Sequence, residues 1–228
     1  MRAGVRSILA RLAATAFAFA LLAPLAVRAE LESNARAEAP LRALEYTVNE
    51  RVDGRHGAGT VALTITRVTA ERGFTVQIRE DRGTGEPSDI RADVDRTGTI
   101  STRSGETLTR EAQTILYFLA LGSQNLTGMD KGDEWHAEGA LPDGHQQTRY
   151  TVLRSLSDGR IDLGITRAIT LDSGETSSWR GTLVYDYKAI MPVSIALSGR
   201  IRSHLDDSLK TSDIAVEMKL RSDSFRKP

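Results

Sequence analysis

Residues 183–201 read LVYDYKAIMPVSIALSGRI. Leu183, Tyr185 and Tyr187 alternate with Val184, Asp186 and Lys188. Past Met191 and Pro192, the residues Val193, Ile195, Leu197 and Ile201 alternate with Ser194, Ala196, Ser198 and Arg202. A period of two marks a strand with one buried and one wet face. Pro192 falls at the start of the second run, where a missing N–H is tolerated. The stretch predicts a β-hairpin whose two apolar rows face the same way, and Trp179 and Gly181 extend the first row.

The same period runs outward in both directions. Leu44, Tyr46 and Val48 form one row, Val61, Leu63 and Ile65 the next, and Phe74, Val76 and Ile78 a third. Between the first two lies DGRHGAG, read as a Gly-rich turn. Ile90, Ala92 and Val94 give a short strand. On the C-terminal side, Ser157-Asp158-Gly159 joins RYTVLRSL to RIDLGITRAITL, a strong hairpin signal. Ile161, Leu163, Ile165, Ile169 and Leu171 share one phase. Ile214, Val216, Met218 and Leu220 close the series after HLDDSLKTSD, read as a connection.

One segment changes period. Leu108, Ala112, Ile115, Leu116 and Leu119 fall on one helical face. Thr107 is the expected N-cap and Gly122 the expected residue just past the C-terminus. The pattern predicts a mainly β fold: a large curved antiparallel meander sheet, a half-barrel of about eleven strands. The helix is inserted on its concave side.

The N-terminus predicts export. Arg2, Arg6 and Arg11 precede an apolar run from Leu12 to Val27, and Val27 and Ala29 suit cleavage after Ala29. Residues 1–29 read as a signal peptide, 30–41 as a polar leader and 42–228 as a single β-rich domain. The protein is then expected in the periplasm or outside the cell, with no stable membrane span after cleavage. No Cys occurs, so disulfides, thiol nucleophiles and Cys metal ligands are excluded. Without residues 1–29 the chain carries 26 basic and 30 acidic residues and no basic tract. That balance argues against nucleic acid as a partner.

The order of elements and the late W-x-G-x-L-x-Y-D-Y…MP-V-x-I-x-L-x-G pattern, Trp179 to Gly199, resemble the periplasmic lipoprotein-carrier superfamily of LolA-like and LppX-like half-barrels. A related uncharacterised family of exported bacterial β proteins is similar as well. The resemblance implies an apolar concavity that binds acyl chains under helical cover. No residue here matches the carriers' functional positions.

Catalytic constellations are hard to find. His56, His136, His145 and His204 show no metal-binding spacing. His136 and His145 could approach in space, although each is read in a turn-rich segment. Asp93 and Asp95 share a strand face and could serve acid–base chemistry, but read more simply as the wet face of an edge strand. No nucleophile elbow occurs. The expected protein is no enzyme and uses no cofactor or metal.

It is expected to bind an apolar or amphipathic ligand, a lipid or lipoprotein acyl chain, in the sheet concavity. The expected ligand-binding residues are Leu116, Leu119, Trp179, Leu183, Tyr185, Ile195 and Leu197. The alternative is a structural or protein-interaction module of the cell envelope with no ligand cavity and an envelope protein as partner.

Overall fold

A computed structural model describes residues 40–69, 73–83, 86–102, 106–123, 126, 128–141, 143–205 and 208–225. The expected signal peptide and most of the expected leader lie outside the described residues. Pro40–Pro228 forms one compact unit. Its strands are β1 (Arg42–Val52), β2 (Arg55–Thr69), β3 (Gly73–Asp81), β4 (Ser88–Val94), β5 (Ile100–Thr102), β6 (Glu134–Leu141), β7 (Gly144–Ser155), β8 (Arg160–Leu171), β9 (Thr176–Asp186), β10 (Met191–Leu205) and β11 (Ser208–Asp223). Among the described residues the one α-helix is α1 (Arg110–Leu119), between β5 and β6.

All eleven strands join one antiparallel sheet in the order β5-β4-β3-β2-β1-β11-β10-β9-β8-β7-β6. Sequence neighbours pair throughout, and β1 pairs with β11 to bring the two halves together. The sheet coils into a nearly closed barrel, with β5 and β6 as its terminal strands. Residues 183–201 form the expected hairpin: β9 pairs with β10, and Leu183 sits opposite Ile195. Neither side chain has any solvent exposure.

Several local expectations change. The turn in DGRHGAG is only Asp53-Gly54, both at positive φ, and Val52 already pairs with Arg55. A two-residue loop of this kind matches the right-handed twist of its flanking strands. HLDDSLKTSD is mostly strand, since β10 runs to Leu205 and β11 begins at Ser208. Thr109, not Thr107, caps the helix: its Oγ1 accepts from the Ala112 N–H and donates to Glu80 Oε1 at 2.8 Å. The helix ends at Leu119 and passes into a tighter turn over Ala120–Ser123, so Gly122 does not directly follow it.

The largest change concerns the helix surface. A single apolar face is expected, yet every residue from Glu111 to Leu119 is buried. The sheet wraps around α1, which plugs part of the interior, while Trp179, Leu197, Ile214 and Val216 of the inward rows border open clefts on β1, β9, β10 and β11. Ile115, Leu116 and Phe118 are fully buried, each worth about 1.5–3 kcal/mol of burial.

The sheet ladders slip register at four places: Glu45/Tyr46, Ile65/Arg67, Val152/Arg154 and Pro192/Ser194. By register all four lie toward the same end of the barrel, where α1 also ends. Such bulges bend strands and sharpen twist, and they concentrate at barrel rims. This end is called the mouth below.

Candidate functional site

At the mouth the chain leaves a groove of about 520 Å³. It is lined by Leu41 and Arg42 ahead of and on β1, Ile65 and Val68 on β2, Phe74 on β3 and Leu119 at the end of α1. Ile190 in the β9–β10 turn and Phe225 after β11 complete the apolar wall, with Asp95 and Arg96 at its edge. Four of these apolar side chains are strongly exposed: Leu41 at 48%, Val68 at 64%, Ile190 at 49% and Phe225 at 69%. Singly, exposed apolar residues need no explanation, but a cluster around one concavity marks a contact surface.

The rim is built rigidly. Arg42 donates from Nε and Nη2 to both oxygens of Asp223, at 3.0 and 2.8 Å. Its Nη1 donates to the Ala189 carbonyl at 2.6 Å. The guanidinium lies 5.2 Å from the Phe225 ring centre. Asp186 Oδ1 accepts the N–H groups of Lys188 and Ala189, which folds the turn that carries Ile190. Ile190 itself has φ +54°. A β-branched residue is a genuine outlier in the left-handed region, and such strain costs of order 1–3 kcal/mol. Two fixed contacts therefore hold an exposed Ile in an unfavourable backbone conformation at the edge of an apolar groove.

Asp95 closes the β4–β5 turn. Its Oδ1 accepts from Thr97 N, Thr97 Oγ1 and Thr99 N, at 2.8, 2.7 and 2.9 Å. Burial pushes its carboxyl up, but these bonds outweigh burial and hold it below the usual range. Asp95 thus lies beyond the strand that holds Asp93, and Asp93 Oδ1 accepts from Thr75 Oγ1. The two are not a paired acid–base set, and β4 is no edge strand, since β5 covers its final residues.

Of the seven expected ligand-binding residues, Leu119 lines this groove. Leu116, Leu183, Tyr185 and Ile195 are fully buried, and Trp179 and Leu197 are 5% exposed. The structure brings Leu183 to Ile195 and Tyr185 to Pro192 across the hairpin. The groove residues Leu41, Phe74, Ile190 and Phe225 were not expected, because they come from four separate strand ends. The one local signal was KAI at 188–190, an apolar residue in a turn that should be polar.

A second cluster lies at the opposite end, around the N-terminus of α1. Glu50, Glu80 and Glu111 border a cavity of about 220 Å³ with Arg82 and Thr109. Arg82 Nη2 donates to Glu111 Oε2 at 2.7 Å. Burial and then the Glu111 charge push Glu50 upward, and burial pushes Glu80 upward. An acid raised in the fold binds more protons than in the unfolded chain, so its contribution is present at low pH and lost as pH rises through the folded pKa. Glu50→Gln should therefore raise the unfolding midpoint at pH 7 and leave it nearly unchanged at pH 4, checked by thermal scans at both. A midpoint lowered at pH 7 would show that Glu50 stabilises the cluster.

His136 and His145 are exposed on β6 and β7 rather than in turns. His145 sits opposite Ala140, so the two imidazoles are offset by four residues, about 13 Å along the strands. Among the described residues no group of three or more His, Asp or Glu could hold a metal ion. Comparison with family models, curated proteins and solved structures finds no match to this chain.

Proposed function

We propose that the protein is an exported, non-enzymatic binder of an apolar or amphipathic ligand, such as a lipid or an acyl chain, and that the ligand sits in the mouth groove. The observation that carries this reading is Ile190, a half-exposed β-branched residue fixed at positive φ on the rim of an apolar concavity. Strain of this kind persists where surrounding contacts over-determine it, and it clusters at ligand clamps. The groove volume falls within the ~300–1,000 Å³ common for small-molecule sites. The resemblance to lipoprotein carriers supports the ligand class. The full burial of Leu116, Leu183, Tyr185 and Ile195 favours the mouth over the inner rows of the sheet.

Ile190→Gly tests it, because stability and binding should move in opposite directions. Releasing the strain should stabilise the fold by about 1 kcal/mol after glycine's own entropy cost. Removing the side chain should weaken ligand retention. Native mass spectrometry of the protein from an exporting host should show an extractable hydrophobic adduct in the wild type. The adduct should be reduced in Ile190→Gly and lost in Val68→Ser/Phe225→Ser. A wild-type protein that stays free of adduct when oleate is offered would sink the ligand reading. The envelope-partner reading would then take over the same exposed rim.

A further inference from the structure

Arg167 lies on β8 between Ile165 and Ile169, in the row that faces the barrel interior. It is 2% exposed. Its Nε and Nη2 both donate to Gln146 Oε1, and its Nη1 donates to Thr114 Oγ1 at 2.8 Å. The guanidinium lies 5.0 Å from the Tyr117 ring centre. Every one of these partners is neutral. Burial pulls the guanidinium down only to about 10, so it is charged at neutral pH. Burial pushes the Tyr150 hydroxyl well above its ordinary value, so Tyr150 supplies no countercharge.

The neighbours of Arg167 on the facing strand are neutral as well. Thr148 sits opposite Arg167 in the β7–β8 ladder, and Gln146 and Tyr150 flank it on the same inward row. Gln146 Nε2, Thr148 Oγ1, Tyr117 Oη and Tyr150 Oη are buried, and none makes a hydrogen bond of acceptable geometry. The Tyr150 hydroxyl nevertheless lies beside Tyr117 and Thr148. Each of the four atoms can donate, and the three hydroxyls can also accept, but none of them carries a charge to balance Arg167. Leaving one such group unsatisfied costs about 1–3 kcal/mol, and a buried unpaired charge costs several more. Water could accept these bonds but would leave the charge unbalanced. An anion meets both needs.

We infer that this buried cluster binds a monovalent anion of halide or carboxylate size, held by Arg167 and by donors from Gln146, Thr148, Tyr117 and Tyr150. The cluster lies beside β6, one of the sheet's two terminal strands. A Cβ on Gly139 of β6 would stand 3.3 Å from both Gln146 Nε2 and the Tyr117 ring. The joint between β6 and β5 carries no strand ladder, and the β4–β5 turn packs over it, with the Thr97 carbonyl 3.5 Å from the same Cβ position. The site is separate from the mouth groove and stands or falls without it.

Two experiments test it. Crystals soaked in sodium bromide should show an anomalous peak within hydrogen-bonding distance of the Arg167 guanidinium. Water density without anomalous signal there would overturn the inference. In solution, saturating bromide at constant ionic strength should raise the unfolding midpoint by about 5 °C. Arg167→Met should abolish that rise. Tyr150→Phe should raise the bromide dissociation constant read from the midpoint shifts about five-fold, the worth of one hydrogen bond, and it covers the case where Arg167→Met fails to fold. An equal bromide response in wild type and both variants would again overturn it. Acetate and decanoate separate the sources. A response to acetate alone marks a free small anion, whereas a response to decanoate at lower concentration marks the head of an amphiphile.

Discussion

Asp223→Ala should cost about 3–5 kcal/mol, because it leaves a mostly buried guanidinium without its carboxylate. Asp223 is 1% exposed at its side chain and Arg42 is 12% exposed, and two hydrogen bonds join them. The same arginine ties β1 to the β9–β10 turn through the Ala189 carbonyl. Loss of the carboxylate frees the Ile190 turn and the Phe225 tail together, so the mouth should loosen as the fold weakens. At 2–4 °C per kcal/mol for a chain of this size, the unfolding midpoint should fall by about 10 °C. Urea titration of Asp223→Ala, Arg42→Met and the double variant gives the coupling directly. A loss below about 1 kcal/mol for Asp223→Ala would mean that the pair behaves as a surface bridge.

Leu183→Asp should abolish folding, and Leu183→Ala should cost about 2–5 kcal/mol. Leu183 has no solvent exposure and faces Ile195 across the hairpin and Leu163 on β8. An aspartate there would bury an unpaired carboxylate in the apolar core. Circular dichroism and a thermal scan of both variants decide the matter. If Leu183→Asp folds with a near wild-type midpoint, the row faces open space, and the ligand belongs in the barrel interior instead of at its mouth. The two outcomes separate a packed core from a lined cavity more sharply than any conservative change.

Much of the fold was legible because strand periodicity is local. Leu183, Tyr185, Ile195 and Leu197 declare their face by alternation alone, and the hairpin follows from the turn between them. The Ser157-Asp158-Gly159 turn was equally plain. The site was far less legible. Arg167 shares the odd phase of Ile161, Leu163, Ile165 and Ile169, and that parity places it inside. The signal was present, but a charged residue in an inward row is easily passed over in favour of its apolar neighbours. Gln146, Thr148 and Tyr150 follow the same rule on β7. Ile190 gave no periodic signal, since its meaning lies in a positive φ that no pattern of side chains shows.

Local pattern alone specifies most of the strands, the faces they bury, the single helix of the described residues and the absence of thiol chemistry. Each of these depends on neighbours two to four residues apart. How far the sheet coils, and so how closely it surrounds the helix, depends on contacts between residues far apart in the chain. Curvature is a collective result of strand twist and four bulges at one end. It surrounds every side of α1 and gathers Leu41, Phe74, Ile190 and Phe225 onto one rim. It also encloses Arg167 among neutral donors, a grouping drawn from α1, β7 and β8 that no single stretch of the chain contains.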